Sequence, residues 1–151
     1  MYFDGNLMFF KKEFSEKEEL FHFIAENFRE AGYVTKEFEE GIKKREESYP
    51  TGLVLQEYCV AIPHTDADKV VKSQLQFVTL EKPVKFFQMA DNQSEIEVNF
   101  IVSLALKEPH AQLEMLQKLM AMFSDAEITK QLMMCDNLTD AKELFTKNGI
   151  E

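Results

Sequence analysis

The chain has 151 residues, of which 45% are hydrophobic, enough for one core and too few for two domains of ordinary size. Its 17 Lys and Arg side chains against 27 Asp and Glu give a formal net charge of −10. Such a charge repels nucleic acids and anionic membrane surfaces and favours a protein partner with a basic face. We therefore expect a single domain over residues 1–151 that binds no nucleic acid.

The sequence also shows no signal for export or membrane insertion. No apolar run approaches the roughly 20 residues that span a bilayer, and residues 1–12 lack a basic segment ahead of an apolar one. The two cysteines, Cys59 and Cys135, are too few for a disulfide framework or a C-x-x-C metal site. These features predict a cytoplasmic protein with no direct membrane insertion.

Apolar residues at helical spacing predict a first helix over residues 14–31. Ser15 and Glu18 fit a reciprocal capping box at its start, and Gly32 fits its end. The apolar residues that carry the spacing are Leu20, Ile24, Phe28 and Ala31.

A second helix is predicted over residues 35–47, with Phe38 and Ile42 one turn apart. Arg45 falls on the same stripe, and an inward guanidinium needs an anionic partner or must reach solvent. Arg45 is therefore a candidate site residue, with a solvated arginine as the alternative. The next stretch, residues 49–52, has the Pro and Gly of a turn.

Three apolar segments predict strands over residues 59–62, 74–80 and 98–106. The last alternates large with mostly small side chains and is expected to be a central strand. After it, Pro109 suits the first turn of a third helix, because that position needs no amide donor. The residues expected to face inward from this helix are Leu113, Leu116, Met120 and Phe123.

Two short helices are predicted at the end of the chain. One follows a capping pattern at residues 124–127 and runs to Met134, and the other covers residues 139–146. Together the elements predict an α/β fold, a single domain in which helices flank a small mixed β-sheet on both sides. The inward candidates of the two short helices are Ile128, Leu132, Leu144 and Phe145.

The densest group of reactive side chains lies where the first predicted strand ends at Pro63 and gives His64 to the loop that follows. Histidine is a nucleophile and base at neutral pH, and one ring nitrogen can accept a phosphoryl group if a hydrogen bond fixes the other. Thr51 and Thr65 are hydroxyl donors close to it in sequence. His64 is therefore the candidate nucleophile, and a surface histidine in a loop is the alternative.

His110 is a second candidate because it follows Pro109 at the start of the third helix, one turn ahead of Leu113. This position is expected to point toward the protein body at the positively polarised end of the helix. Unpaired amides there attract phosphate and disfavour a protonated ring. A capping or packing histidine is the alternative.

Other chemistries lack a motif in this chain. A metal site on His64 and His110 needs a further ligand, and the spacing of the available residues matches no ligand pattern. The sequence has no Gly-x-Ser-x-Gly elbow and no glycine-rich nucleotide motif. We therefore expect no cofactor and no metal. The further ligands considered are Asp66, Asp68, Cys59 and His22.

Four segments in this order resemble IIA domains of the fructose–mannitol type from the bacterial phosphoenolpyruvate-dependent sugar phosphotransferase system. The resemblance implies that His64 takes a phosphoryl group from the phosphocarrier HPr and passes it to a cysteine of a IIB component, which works with a IIC membrane component. It also implies that Arg45 and His110 lie beside His64. The four segments are residues 45–47, 51–53, 60–64 and 109–110.

Residues 49–52, Tyr-Pro-Thr-Gly, resemble the galactitol-type branch of that family. The chain departs from many relatives at Thr65 and at residues 55–58, where those relatives have glycine. Two alternatives stay open: a signalling domain whose histidine phosphorylation switches partner binding, and a non-catalytic binding module. Because a phosphohistidine must be reached by two partners in turn, we expect an exposed apolar patch rimmed by acids around His64.

Overall fold

Two long strands that form an antiparallel hairpin occupy the centre of the sheet. They are β4 (Gln74–Gln88) and β5 (Asp91–Ala105) of a computed structural model that describes residues 3–151. The other strands are β1 (Met8–Lys12), β2 (Gly52–Val54) and β3 (Cys59–Ala61). β1 pairs in parallel with β4, β3 pairs in parallel with β5, and β2 pairs antiparallel with β3. β5 lies between β4 and β3, so the predicted central strand and the mixed sheet are confirmed.

Helices cover both faces of this sheet and enclose two hydrophobic cores. α1 and α2 pack on one face, and α3, α4 and α5 pack on the other. The described residues contain no helix long and apolar enough to cross a membrane. The helices are α1 (Lys17–Glu30), α2 (Phe38–Ser48), α3 (Pro109–Phe123), α4 (Ala126–Met134) and α5 (Leu138–Lys147).

β5 supplies side chains to both cores because successive residues of a strand point to opposite faces. Phe100 and Leu104 enter the core under α3, α4 and α5, whereas Ile101 and Ala105 enter the core under α1 and α2. The predicted α/β class with helices on both sides is therefore confirmed.

The helix starts differ from the predicted caps by one residue. α1 begins at Lys17, and the backbone N–H and hydroxyl of Ser15 donate to Glu19 at 3.1 and 2.7 Å rather than to Glu18. At α4, Asp125 is the cap and accepts from the N–H groups of Glu127 and Ile128. Both predicted capping boxes are wrong by one residue. Acidic residues stand at adjacent positions near each helix start, and the first residue of the helix decides which of them forms the cap.

The inward face of α3 is also rotated from the prediction. Leu113 is 63% exposed and Met120 is exposed too, whereas Phe123 is buried as predicted and Leu116 is half-buried. Apolar residues occur on most sides of this helix, so helical spacing fits more than one stripe. The residues that α3 buries are Ala111, Met115, Leu119, Met122 and Phe123.

Two short strands and half of the hairpin were not predicted. The two strands are β1 and β2. β2 begins at Gly52, the last residue of the predicted turn, and its three residues are too few to show strand periodicity. β4 and β5 extend to residues 88 and 91, far beyond the apolar segments. In their outer halves only one face is buried, through Val84, Phe86 and Val98, and the other face carries mostly polar side chains, so no continuous apolar run marks these residues as strands.

β1 is an edge strand with a distorted backbone. Its pairing with β4 changes register between Phe9 and Lys12, and Lys11 has a φ of 53°, in the left-handed region. The N–H of Lys11 donates to the hydroxyl of Thr79 at 2.9 Å. A side-chain bond therefore replaces a backbone bond of the ladder at this point.

A pair of substitutions on α3 tests which face is buried. Leu119→Ala should lower the free energy of unfolding by about 2–5 kcal/mol, because it leaves a cavity in the core. Leu113→Ala makes the same chemical change on the exposed side and should alter it by no more than about 0.5 kcal/mol. Urea denaturation followed by circular dichroism measures both, and equal effects would contradict the described packing.

Candidate active site

The backbone at His64 is fixed by the central strand rather than lying in a free loop. Beyond the end of β3, the carbonyl of Pro63 accepts from the N–H of Leu104 at 3.1 Å and from the hydroxyl of Ser103 at 2.9 Å. His64 itself forms a parallel bridge with Leu104. The sequence predicted a loop here because proline ends the apolar run, but the proline carbonyl continues the pairing with β5.

The ring of His64 is held by one of its two nitrogens. Nδ1 lies 2.8 Å from the backbone oxygen of Ile62. A carbonyl oxygen only accepts hydrogen bonds, so Nδ1 must carry the proton and donate it. Nε2 is then the nitrogen with the free lone pair. Because only 7% of His64 is exposed, any reaction partner reaches this ring over a small opening.

Burial is the largest influence on the protonation of His64. It lowers the pKa below the ordinary value of 6.5, because a charged imidazolium is poorly solvated inside the protein. The hydrogen bond to Ile62 raises the pKa, the positive charge of Arg45 lowers it, and the negative charge of Asp66 raises it, in decreasing order of effect. The lowered pKa keeps the ring neutral at neutral pH, with a lone pair on Nε2.

Arg45 lies close to His64 but on the rim of the site. The guanidinium carbon Cζ lies over the Tyr49 ring, 5.3 Å from its centre, and Nη1 is 3.7 Å from a carboxylate oxygen of Asp66. Its side chain is 37% exposed, so of the two alternatives left open for Arg45 the structure has the guanidinium that reaches solvent. The guanidinium lines a groove that also contains Thr65 and Asp66, the two residues after His64. This groove is lined in part by Lys44, Arg45, Tyr49, Thr65, Asp66 and Lys69.

Glu46, rather than Arg45, takes the inward position on this stripe of α2, and the sequence analysis did not single it out. The residue is only 3% exposed. Burial raises the pKa of its carboxyl, while hydrogen bonds from Thr51 lower it. The signal was present, because Phe38, Ile42 and Glu46 follow one another at intervals of four residues along one helical face.

Thr51 is buried between Glu46 and the strand that leads to His64. Its hydroxyl donates to the Glu46 carboxylate at 2.9 Å and accepts from the N–H of Ile62 at 3.1 Å. The hydroxyl thus both donates and accepts a hydrogen bond, and neither partner is His64. Thr51 therefore reaches His64 through the backbone of Ile62, not by direct contact.

Thr65 connects the helices on the two sides of the site. Its backbone oxygen accepts from the side-chain amide of Gln112, on α3, at 3.0 Å. On the other side it packs against α2 at Gly41, where a Cβ atom would lie 2.8 Å from the Thr65 hydroxyl oxygen. A glycine in the middle of α2 is thus required for the helix to approach this segment closely.

His110 does not point toward the protein body, so that expectation is wrong. Its side chain is 76% exposed, and Nε2 lies 3.2 Å from a carboxylate oxygen of Glu108. The buried face of α3 begins one residue later, at Ala111, which turns His110 toward solvent. The structure therefore brings His64, Arg45 and Thr65 together and leaves His110 at the outer edge, on the helix tied to Thr65 by Gln112.

Two further groups of side chains bear on the expected chemistry. Among residues 3–151, no three His, Cys, Asp or Glu side chains lie close enough together to hold a metal ion. Of the exposed apolar patch expected around His64, the structure has the ring of Tyr49, which is 66% exposed beside Arg45, while His64 itself is buried. Asp66 supplies an acid beside Arg45, and Glu108 supplies one beside His110.

Comparison with known proteins identifies the class. The family model described as "Phosphoenolpyruvate-dependent sugar phosphotransferase system, EIIA 2" matches residues 1–148. The chain therefore belongs to this family of sugar phosphotransferase components, as the resemblance of residues 45–47, 51–53, 60–64 and 109–110 predicted. Within the family, it is similar to the PTS system galactitol-specific EIIA component of Escherichia coli (strain K12), with 28% identity over 134 residues, 89% of this chain and 88% of the relative.

One further relative and one solved structure are also similar to the chain. The chain is 28% identical over 146 residues to the probable licABCH operon regulator of Bacillus subtilis (strain 168), and the match covers 95% of this chain but 21% of the regulator. Its fold matches enzyme IIAMTL in the complex of enzyme IIAMTL and phosphorylated enzyme IIBMTL from Escherichia coli, with a TM-score of 0.75 and 22% identity over 96% of this chain and 99% of the other.

The neutral state of His64 has a measurable consequence. Its ring should titrate below pH 6.5 in an NMR experiment that follows the imidazole nitrogens, with His64→Gln used to assign the signal. Because the folded pKa lies below the unfolded value, the stability due to the neutral ring is complete above about pH 6.5 and is lost as the pH falls toward the folded pKa. His64→Gln should therefore weaken the acid sensitivity of unfolding in this range. A midpoint at or above 6.5 would contradict the assignment.

Proposed function

We propose that the protein is a cytoplasmic phosphocarrier IIA component that accepts a phosphoryl group from phospho-HPr on His64 and passes it to a cysteine of a IIB component. The observation that carries this proposal is the neutral His64, tied at Nδ1 to the Ile62 carbonyl with Nε2 left free. A lone pair on a fixed ring is what an in-line phosphoryl transfer requires from its acceptor.

The transfer balances without an external acid or base. The Nε2 lone pair attacks the phosphorus of phospho-HPr, the bond from phosphorus to the HPr histidine breaks, and that histidine recovers its electron pair. The His64 ring keeps its Nδ1 proton and becomes positively charged, so the hydrogen bond to Ile62 strengthens. In the second step the IIB thiolate attacks the same phosphorus, and His64 leaves as a neutral imidazole.

Charged and polar groups around His64 support the transferring oxygens in this proposal. Arg45 supplies the positive charge nearest the ring and can turn from Asp66 toward a phosphoryl group, which is the stronger anion. Thr65 presents the backbone beside His64, and Thr51 fixes the strand that holds the ring. His110 serves from the solvent side, where it can meet either the phosphoryl oxygens or an incoming partner.

The surface properties favour two transient protein partners. A net charge of −10 attracts a partner with a basic face and speeds its encounter with this protein, and the exposed ring of Tyr49 offers apolar contact beside Arg45. The likeness to a galactitol-specific EIIA component and to an enzyme IIA solved with phosphorylated enzyme IIB favours a IIB protein, with its IIC membrane component, as the acceptor. We accordingly propose uptake of a sugar or polyol in the galactitol-like branch.

A regulatory role is the second candidate, because a relative with 28% identity is a probable operon regulator in which this region makes up 21% of the length. In that case His64 phosphorylation would change the binding of a protein partner, with no phosphoryl transfer to IIB. Transfer of labelled phosphate to an isolated IIB protein separates the two candidates.

Intact mass spectrometry after incubation with phosphoenolpyruvate, Enzyme I and HPr tests the carrier role. The native chain should gain one acid-labile phosphoryl group, His64→Gln should gain none, and His110→Gln should still gain one. Circular dichroism of each variant controls for folding. A folded native chain that gains nothing from an active donor would overturn the proposal, and a phosphorylated His64→Gln would move the site elsewhere.

Arg45 can be compared with its neighbour Lys44, which is exposed and carries the same charge. Arg45→Gln should slow phosphoryl transfer from phospho-HPr by roughly a hundredfold, because a charge aimed at the transferring oxygens is lost. Lys44→Gln changes the net charge equally and should change the rate by less than about threefold, because it alters only the long-range attraction between the two proteins. Rapid-quench kinetics measure both rates, and equal effects would exclude a local role for Arg45.

A further inference from the structure

The buried carboxylate of Glu46 is not used by the phosphoryl-transfer steps, although hydrogen bonds connect it to the His64 ring. Both of its oxygens contact Thr51: the backbone N–H donates at 2.7 Å, and the hydroxyl donates at 2.9 Å. Removing a carboxylate from water is unfavourable, so its retention at a buried helix position calls for an explanation other than packing.

The register of β2 and β3 shows what these hydrogen bonds replace. Gly52 pairs with Ala61, so Thr51 stands opposite Ile62. At the far end of the same ladder, the N–H of Leu55 donates to the oxygen of Tyr58 at 2.8 Å. Along antiparallel strands, hydrogen-bonded pairs alternate with pairs that are not hydrogen-bonded. Counting from Leu55 and Tyr58, every second pair is hydrogen-bonded, so Thr51 and Ile62 should form such a pair.

Thr51 and Ile62 do not form the two backbone hydrogen bonds expected of such a pair. The N–H of Thr51 donates to Glu46, and the N–H of Ile62 donates to the Thr51 hydroxyl at 3.1 Å. The oxygen of Ile62 is therefore left for Nδ1 of His64, at 2.8 Å. Glu46 thus occupies the one donor that would compete with His64 for this carbonyl.

We propose that Glu46 is a positioning residue for the reaction at His64: it diverts the N–H of Thr51 and so reserves the Ile62 carbonyl for Nδ1. This inference rests on the proposed function for its effect on phosphoryl transfer. The tautomer of His64, with the proton on Nδ1 and the lone pair on Nε2, follows from the reserved carbonyl. Glu46 does not contact the ring, and it acts through Thr51 and Ile62.

The same link fixes the cation of the site relative to the nucleophile. Glu46 is the neighbour of Arg45 on α2, and its bonds to Thr51 join the last turn of that helix to the strands leading to His64. A shift of α2 would therefore move Arg45 and release the ring together. This predicts a loss of transfer rate in variants that retain the fold.

The test compares Glu46→Met, Glu46→Gln and Glu47→Met in the full chain. Methionine has similar size and accepts hydrogen bonds poorly, glutamine keeps one acceptor oxygen, and Glu47 is the exposed neighbour that controls for the lost charge. Two quantities are measured: the ring tautomer, from the His64 nitrogen shifts above pH 7, and the rate of phosphoryl transfer from phospho-HPr.

Glu46→Met should move His64 toward the Nε2–H tautomer and slow transfer by roughly ten- to a hundredfold, as a small misplacement of a reacting group does. Glu46→Gln should lie between native and Glu46→Met, and Glu47→Met should leave the tautomer unchanged. A folded Glu46→Met that keeps the native tautomer and the native rate would overturn the inference. If Glu46→Met does not fold, native values in Glu46→Gln overturn it instead.

The tautomer measurement needs no phosphoryl donor, so it separates two failures. If the native chain takes no phosphoryl group, the proposed function fails while the nitrogen shifts still decide the role of Glu46. If transfer occurs and the shifts of Glu46→Met are native, only the role of Glu46 fails.

Discussion

The antiparallel pairing of β4 with β5 supports the other strands, both hydrophobic cores and the segment that carries His64. β1 attaches to β4, β3 attaches to β5, and β2 attaches to β3. Since β5 faces a core on each side, any distortion of it would disturb the packing of helices above and below the sheet. The carbonyl of Pro63 bonds to Leu104 and Ser103 near the end of β5, which gives the reactive ring a rigid support.

The site combines a neutral ring with charges that come from opposite faces of the sheet. Arg45 belongs to α2 on one face, and the N-terminus of α3 comes from the other, tied to Thr65 through Gln112. Burial rather than a neighbouring charge is the main reason for the low pKa of His64. The ring can therefore stay uncharged in a protein of net charge −10, in which long-range attraction would by itself favour protonation.

The sequence allowed the fold class, the central strand and the position of His64 in the chain to be predicted, because strand alternation and the residues around Pro63 are local signals. It singled out Arg45 and not Glu46 beside the apolar stripe of α2, since an arginine and a glutamate one residue apart both lie near that stripe. The direction of His110 depends on where α3 begins to bury its surface, which tertiary packing decides. The link from Thr51 to Ile62 depends on strand register, which no short-range pattern reports.

The distorted edge strand β1 bears on how the protein behaves at high concentration. A straight exposed edge offers a row of unpaired N–H and C=O groups on which a strand of another molecule can assemble. In β1 the change of register after Phe9 and the left-handed backbone of Lys11 interrupt that row, and the side chains of Lys11 and Lys12 are exposed there. This interruption limits the growth of intermolecular sheets at this edge, while Met8 of β1 still packs in the core.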